Sequence, residues 1–114
     1  MACNITLVWC SCAELIPILK GRDFCILGSG SAAELIIRFI KPMHPKHIVD
    51  NDAAKHGMVL GGHVVTSPTV LESSKLFVVV MSTQNYFVAA RELQDFSDNF
   101  FLVIPPVELI YGYK

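Results

Sequence analysis

Between Phe24 and Ile104, short unbroken apolar runs alternate with segments whose apolar residues recur at helical spacing. That alternation leaves few architectures open. Phe24-Cys25-Ile26-Leu27 ends at Gly28, and His47-Ile48-Val49 and the brief Val64-Val65 follow it. Leu76 to Met81 holds Val78-Val79-Val80, and Phe100 to Ile104 is stopped by Pro105-Pro106. A strand that is apolar at every position has both faces buried. Between these runs, helices are expected over 13–20, closed by Gly21, and over Ser31 to Ile40 with Ala32, Leu35, Ile36 and Phe39 on one face. Pro42 ends the second. A polar turn spans Asp50 to Gly57, a short helix runs from Ser67-Pro68 to about Ser74, and another spans Tyr86 to Phe96. The expectation is an α/β fold. It is a small Rossmann-like three-layer domain over 1–114, with a parallel sheet of about five strands in the order 3-2-1-4-5.

Charge narrows the function classes. Nine Lys and Arg face ten Asp and Glu, so no basic stripe is available for nucleic acid. At 17% charged residues the surface is poorer in charge than the ~25% of ordinary soluble domains. The apolar stretch from Ile5 to Cys12 has no positive residue before it, and Trp9 is too bulky for a cleavage position, so no signal peptide is expected. Glu14 in the first run and Ser82, Thr83, Gln84 and Asn85 in the later one break both short of the ~18 residues of a membrane span. A cytoplasmic protein without a membrane span is the expectation.

Cys3, Cys10, Cys12 and Cys25 crowd the first quarter of the chain without a second pair to complete a zinc site, so they are expected as reduced, partly buried thiols. His44 and His47 lie close, but Pro45 keeps them off one helical face, and neither they nor His56 and His63 suggest a metal centre.

The chemistry concentrates in Gly28-Ser29-Gly30-Ser31-Ala32-Ala33, a G-x-G-x-x-A turn leading from strand to helix. Gly28 permits the tight turn, Gly30 lets a diphosphate approach the backbone, and Ala33 lets helix and strand pack closely. Free N–H groups at the helix start favour an anion there, and the hydroxyls of Ser29 and Ser31 offer further donors. Asp50 ends the second strand about 20 residues later, where an acidic residue accepts hydrogen bonds from a ribose. Asp50, Asn51 and Asp52 equally suit a plain polar turn. Ser82 and Thr83, ending the fourth strand, lie where ligands bind in such sheets, or cap a helix.

Three segments together carry a resemblance: Gly21 to Gly30, then Val49-Asp50-Asn51-Asp52-Ala53-Ala54-Lys55-His56-Gly57, then Gly61-Gly62-His63-Val64-Val65-Thr66-Ser67-Pro68. They resemble the N-terminal nucleotide-sugar-binding module of sialic-acid and bacillosamine-type sugar acyltransferases, and are similar to N-terminal domains of nucleotide-sugar dehydratases. The likeness covers about residues 20 to 95. It implies that Gly28, Ser29, Gly30, Ser31 and Asp50 hold the nucleotide of a UDP-sugar-like ligand in glycan biosynthesis. The acyltransferases' left-handed β-helix of hexapeptide repeats, which carries their acetyl-donor site, has no counterpart here.

No catalytic constellation accompanies these residues. Tyr111 and Lys114 are one residue too close for the Tyr-x-x-x-Lys of a short-chain dehydrogenase, and a G-x-S-x-G elbow is missing. The expectation is a non-catalytic binding domain or part of a larger enzyme system. A domain binding NAD(P) or coenzyme A, or a structural or regulatory remnant acting by association, is the alternative. The apolar Phe100 to Ile104, placed at a sheet edge by the expected order, points to a homodimer or a partner subunit docking at the C-terminal region.

Overall fold

The computed structural model describes residues 4–9, 11–72, 78–82, 91 and 99–104. In chain order the elements are β1 (Asn4–Trp9), α1 (Cys12–Leu19), β2 (Phe24–Leu27), α2 (Ser31–Ile40), β3 (His47–Val49), β4 (Val59–Leu60), β5 (His63–Thr66), β6 (Val78–Met81) and β7 (Asn99–Ile104). Short 3₁₀ turns at Ala53–Lys55 and Pro68–Glu72 link them. The second falls where a short helix was expected, and residues 73 and 74 of that helix lie outside the described residues.

The strands form one sheet in the order β1-β7-β6-β2-β3-β5-β4, parallel throughout except for the β4–β5 pair. This corrects the expected all-parallel sheet of about five strands: the described residues form seven, and one pair is antiparallel. The two additional strands lie at its ends. β4 forms a hairpin with β5 over Gly61-Gly62, whose φ angles of 57° and 84° are those a two-residue hairpin turn demands. A sequence signal existed: a Gly-Gly pair between short apolar segments marks such a hairpin. β1 falls largely in the apolar N-terminal stretch, where no strand was expected.

β1 also overturns the expected edge. Phe100 to Ile104 belong to β7, which lies between β6 and β1, with Asn4–Trp9 in register against Asn99–Ile104. The strand expected to recruit a second copy is therefore paired on both sides by its own chain, and the edge argument for self-association no longer holds. The C-terminal segment beyond it, the helix expected over 86–96 apart from Arg91, and Thr83 lie outside the described residues.

Every residue of β2 and β6 is buried, as solid apolar runs require of central parallel strands. Phe24, Ile26, Val78 and Val80, with Ile48 and Val65, share one core with Leu15 and Leu19 of α1 and Ala33, Ile36, Ile37 and Ile40 of α2. Cys25, Val79 and Met81, which alternate with them in sequence, are fully buried too. The sheet is thus covered on both faces.

α2 occupies the expected bounds but turns a different stripe inward. Ala32, Ala33, Ile36, Ile37 and Ile40 are buried, while Phe39 is 38% exposed and Leu35 half-buried. Residues at i, i+1, i+4, i+5 and i+8 face one direction on a 3.6-residue helix. The small Ala33 lets this stripe sit close to the sheet. At the start of α1, the Glu14 carboxylate accepts hydrogen bonds from the N–H and the hydroxyl of Ser11, 3.0 and 2.9 Å away.

Cys25 is a free thiol with no exposure, and burial pushes its pKa up to about 12. A thiolate is the reactive species. Cys25 is expected to resist iodoacetamide in the folded protein and to react only on unfolding, as peptide mapping by mass spectrometry will read. Labelling of Cys25 under native conditions at the rate of a free thiol would contradict its placement.

Candidate functional site

The sheet brings the glycine turn and the end of the second expected strand together. β2 and β3 are parallel neighbours, with Leu27 in register with Val49, so Gly28 and Asp50 leave the same end of the sheet side by side. The Gly28 N–H donates to the Val49 carbonyl at 2.8 Å, extending the ladder into the turn.

Gly28 is where the backbone requires glycine. Its φ is 107°, and a Cβ there would collide with the Ser82 hydroxyl. Ser82, just past β6, donates to the Leu27 carbonyl at 2.8 Å through Oγ and at 3.0 Å through its own N–H. Its role in the structure is to close the turn from the β6 side.

Gly30 differs in kind. It is exposed, its φ of −89° suits any residue, and a Cβ there would meet nothing within 4 Å. It is the N-cap of α2, and no side chain caps that helix. Helix starts of this kind present N–H groups to an anion. Ser31, the first helical residue, is exposed beside it, and Ala33 is fully buried one turn in.

Ser29 corrects an expectation. Its side chain is almost fully buried, and its hydroxyl donates to Asp50 Oδ2 at 2.7 Å. The donor expected to serve a phosphate is turned to the carboxylate.

Asp50 is held on all sides. Oδ1 accepts from the Asp52 N–H at 2.8 Å, Lys55 Nζ lies 3.9 Å from Oδ2, and the backbone N–H donates to the Thr66 carbonyl on β5 at 3.0 Å. His56 Nε2 sits 2.6 Å from the Asp50 carbonyl, and the Ala54 N–H donates to the Asp52 carboxylate at 3.0 Å. The segment is the polar turn that Asp and Asn residues favour. Exposed Asn51 forms its outer bend.

Burial is the largest influence on the Asp50 carboxyl and works to raise its pKa. Hydrogen bonds from Ser29 Oγ and the Asp52 N–H, the Lys55 charge and the Ser29 N–H together outweigh it, holding the group below the ordinary 3.8. Because the folded-state pKa is depressed, its contribution to stability is complete above 3.8 and fades as pH falls through the lower folded value. Asp50→Asn is expected to flatten that part of the acid stability profile. Urea unfolding at successively lower pH checks this, and identical acid slopes for variant and parent would refute it.

Two features escaped the sequence. Ser29 and Asp50 stand 21 positions apart, and only parallel pairing of β2 with β3 joins them. His44 and His63 also approach one another, whereas the proximity noted in sequence was that of His44 and His47. Among the described residues, no group of three or more His, Cys, Asp or Glu is placed to hold a metal ion, and no helix is long and apolar enough to cross a membrane. The chain matches no protein-family model, and no curated protein is significantly similar to it.

Proposed function

We propose that this is a Rossmann-like nucleotide-binding module whose ligand is a nucleotide-sugar of the UDP-sugar type. The observation that carries the reading is the Ser29–Asp50 hydrogen bond, which couples the glycine turn to the strand-end carboxylate at the carboxyl ends of two adjacent parallel strands. Ligands of open α/β sheets bind at that end. The open backbone at Gly30 and the uncapped start of α2 suit a diphosphate, and the Asp50 carboxylate suits ribose hydroxyls. Its engaged oxygens leave further lone pairs, since a carboxylate accepts at about four sites. The resemblance of the Gly28–Gly30 and Asp50–Gly57 segments to sugar-acyltransferase and dehydratase modules favours a nucleotide-sugar over NAD(P) or coenzyme A.

A second reading has its own observation. Both Asp50 oxygens already meet partners within the chain, which is what a carboxylate kept for structure would do. On that reading the turn persists for packing and the domain acts by association.

Thermal unfolding with a panel of UDP-sugars, nicotinamide dinucleotides and coenzyme A separates them. A ligand that binds only the folded state stabilises it by ~2.7 kcal/mol at 100 times its Kd, which raises the Tm by several degrees. UDP-sugars are expected to produce that shift. A flat response across the panel would leave the structural reading standing and remove the first.

A further inference from the structure

We propose that His44 and His63 form a two-histidine chelate for a divalent ion of the zinc type, at the end of the sheet opposite the glycine turn. His44 lies in the loop that follows α2, and His63 is the first residue of β5. β3 and β5 run parallel, so the entrances of these strands lie at the far end from Asp50. The pair is thus independent of the nucleotide reading.

The geometry carries the assignment. His44 Nδ1 and His63 Nε2 are 3.4 Å apart. Two imidazole nitrogens bound to one tetrahedral ion at ~2.05 Å each lie ~3.3 Å apart. A well-formed N–H hydrogen bond is shorter, near ~3.0 Å. The rings are not stacked: their centroids are 5.5 Å apart and their planes inclined at 47°. One nitrogen of each ring thus stands at the spacing of two ligands of a single ion.

Both residues are mounted on held backbone. His44 stands between Met43, which packs against the core and whose N–H donates to the Ile40 carbonyl at 2.9 Å, and the buried Pro45. His63 pairs with Leu60 across the hairpin, and that hairpin lies against α2, since a Cβ on Gly61 would meet Ile37 Cγ2 at 2.8 Å. Ligands positioned before the ion arrives lose less freedom on binding it. His44 is exposed and His63 half-buried, so an ion reaches the pair directly from water. Two imidazoles leave two positions of a tetrahedron for water, which makes the site exchangeable rather than a structural centre with four protein ligands.

Calorimetric titration of the protein with zinc chloride, alongside nitrogen-15 NMR of the imidazoles, tests the proposal. One ion per chain is expected, with the bound-nitrogen shift at His44 Nδ1 and His63 Nε2. His44→Gln and His63→Gln are each expected to weaken binding at least ~10-fold, the lower end of what losing even an outer-shell partner costs. His47→Gln is expected to leave it unchanged. The NMR assignment keeps the test valid if a variant folds poorly. No binding at millimolar zinc, or binding that both substitutions leave intact, would overturn the site and reduce the contact to a hydrogen bond between two rings.

Discussion

Gly28→Ala is expected to destabilise the fold by ~2 to 6 kcal/mol. Holding a side-chain-bearing residue at a rarely populated backbone conformation costs ~1 to 3 kcal/mol, and Gly28 has a φ of 107°. Forcing an atom into a filled site adds ~1 to 3 kcal/mol, and the new methyl would fall on the Ser82 hydroxyl. That hydroxyl cannot simply swing away, because it is hydrogen-bonded to the Leu27 carbonyl at 2.8 Å. Native domains of this size have ~5 to 15 kcal/mol of stability in all, so the variant is expected near the edge of folding. Urea unfolding gives the number, and Ser82→Ala in the same background tells the two causes apart. Removing the hydroxyl relieves the collision but not the backbone strain, so about half of the loss should return. A fully stable Gly28→Ala protein would mean that the turn is not built as described.

Gly30→Val is expected to do the reverse: leave the fold and remove the ligand. At Gly30 the φ of −89° accommodates valine and no neighbour lies within reach of a new Cβ, so only the poorer helix start costs stability, about 1 kcal/mol or less. The branched side chain would stand over the backbone that a diphosphate must approach. Loss of affinity for a UDP-sugar by at least ~100-fold, or ~2.7 kcal/mol, is the expected result. Far-UV circular dichroism and the same thermal assay used with the parent protein suffice to measure both effects. Undiminished affinity would exclude the turn as the phosphate site, whereas an unfolded variant would assign Gly30 to packing. The two glycines, two positions apart in one motif, thus have opposite expected phenotypes, in keeping with the separate roles of a tight turn and a close backbone approach. The difference comes from the φ of 107° at Gly28 and from Ser82, 54 positions later, which arrives on that side only.

Much of the fold was legible because it rests on local rules. Phe24–Leu27 and Val78–Met81 read as buried strands because a solid apolar run has no face to give to water, and α2 starts and stops where Gly30 and Pro42 set it. The inward face of α2 was misjudged at Leu35 and Phe39 because a periodic pattern specifies a stripe only to within about one residue. Ile37 and Ile40 are buried instead through contacts with the sheet and, at Gly61, with the β4–β5 hairpin. The candidate site was legible as residue types, Gly28, Gly30 and Asp50 above all. The direction of the Ser29 hydroxyl was not.

The sequence alone therefore determined a two-sided, mostly parallel sheet, a tight glycine turn leading into a helix, and a polar turn after the next strand, since each depends on residues adjacent in the chain. Only the tertiary structure decided that β1 pairs with β7, that Ser29 is committed to Asp50, that Ser82 packs against Gly28, and that His44 meets His63. Each of these joins residues 19 or more positions apart. Their proximity depends on which strand lies beside which, and that choice is made by the competition among all apolar surfaces for burial rather than by any local preference.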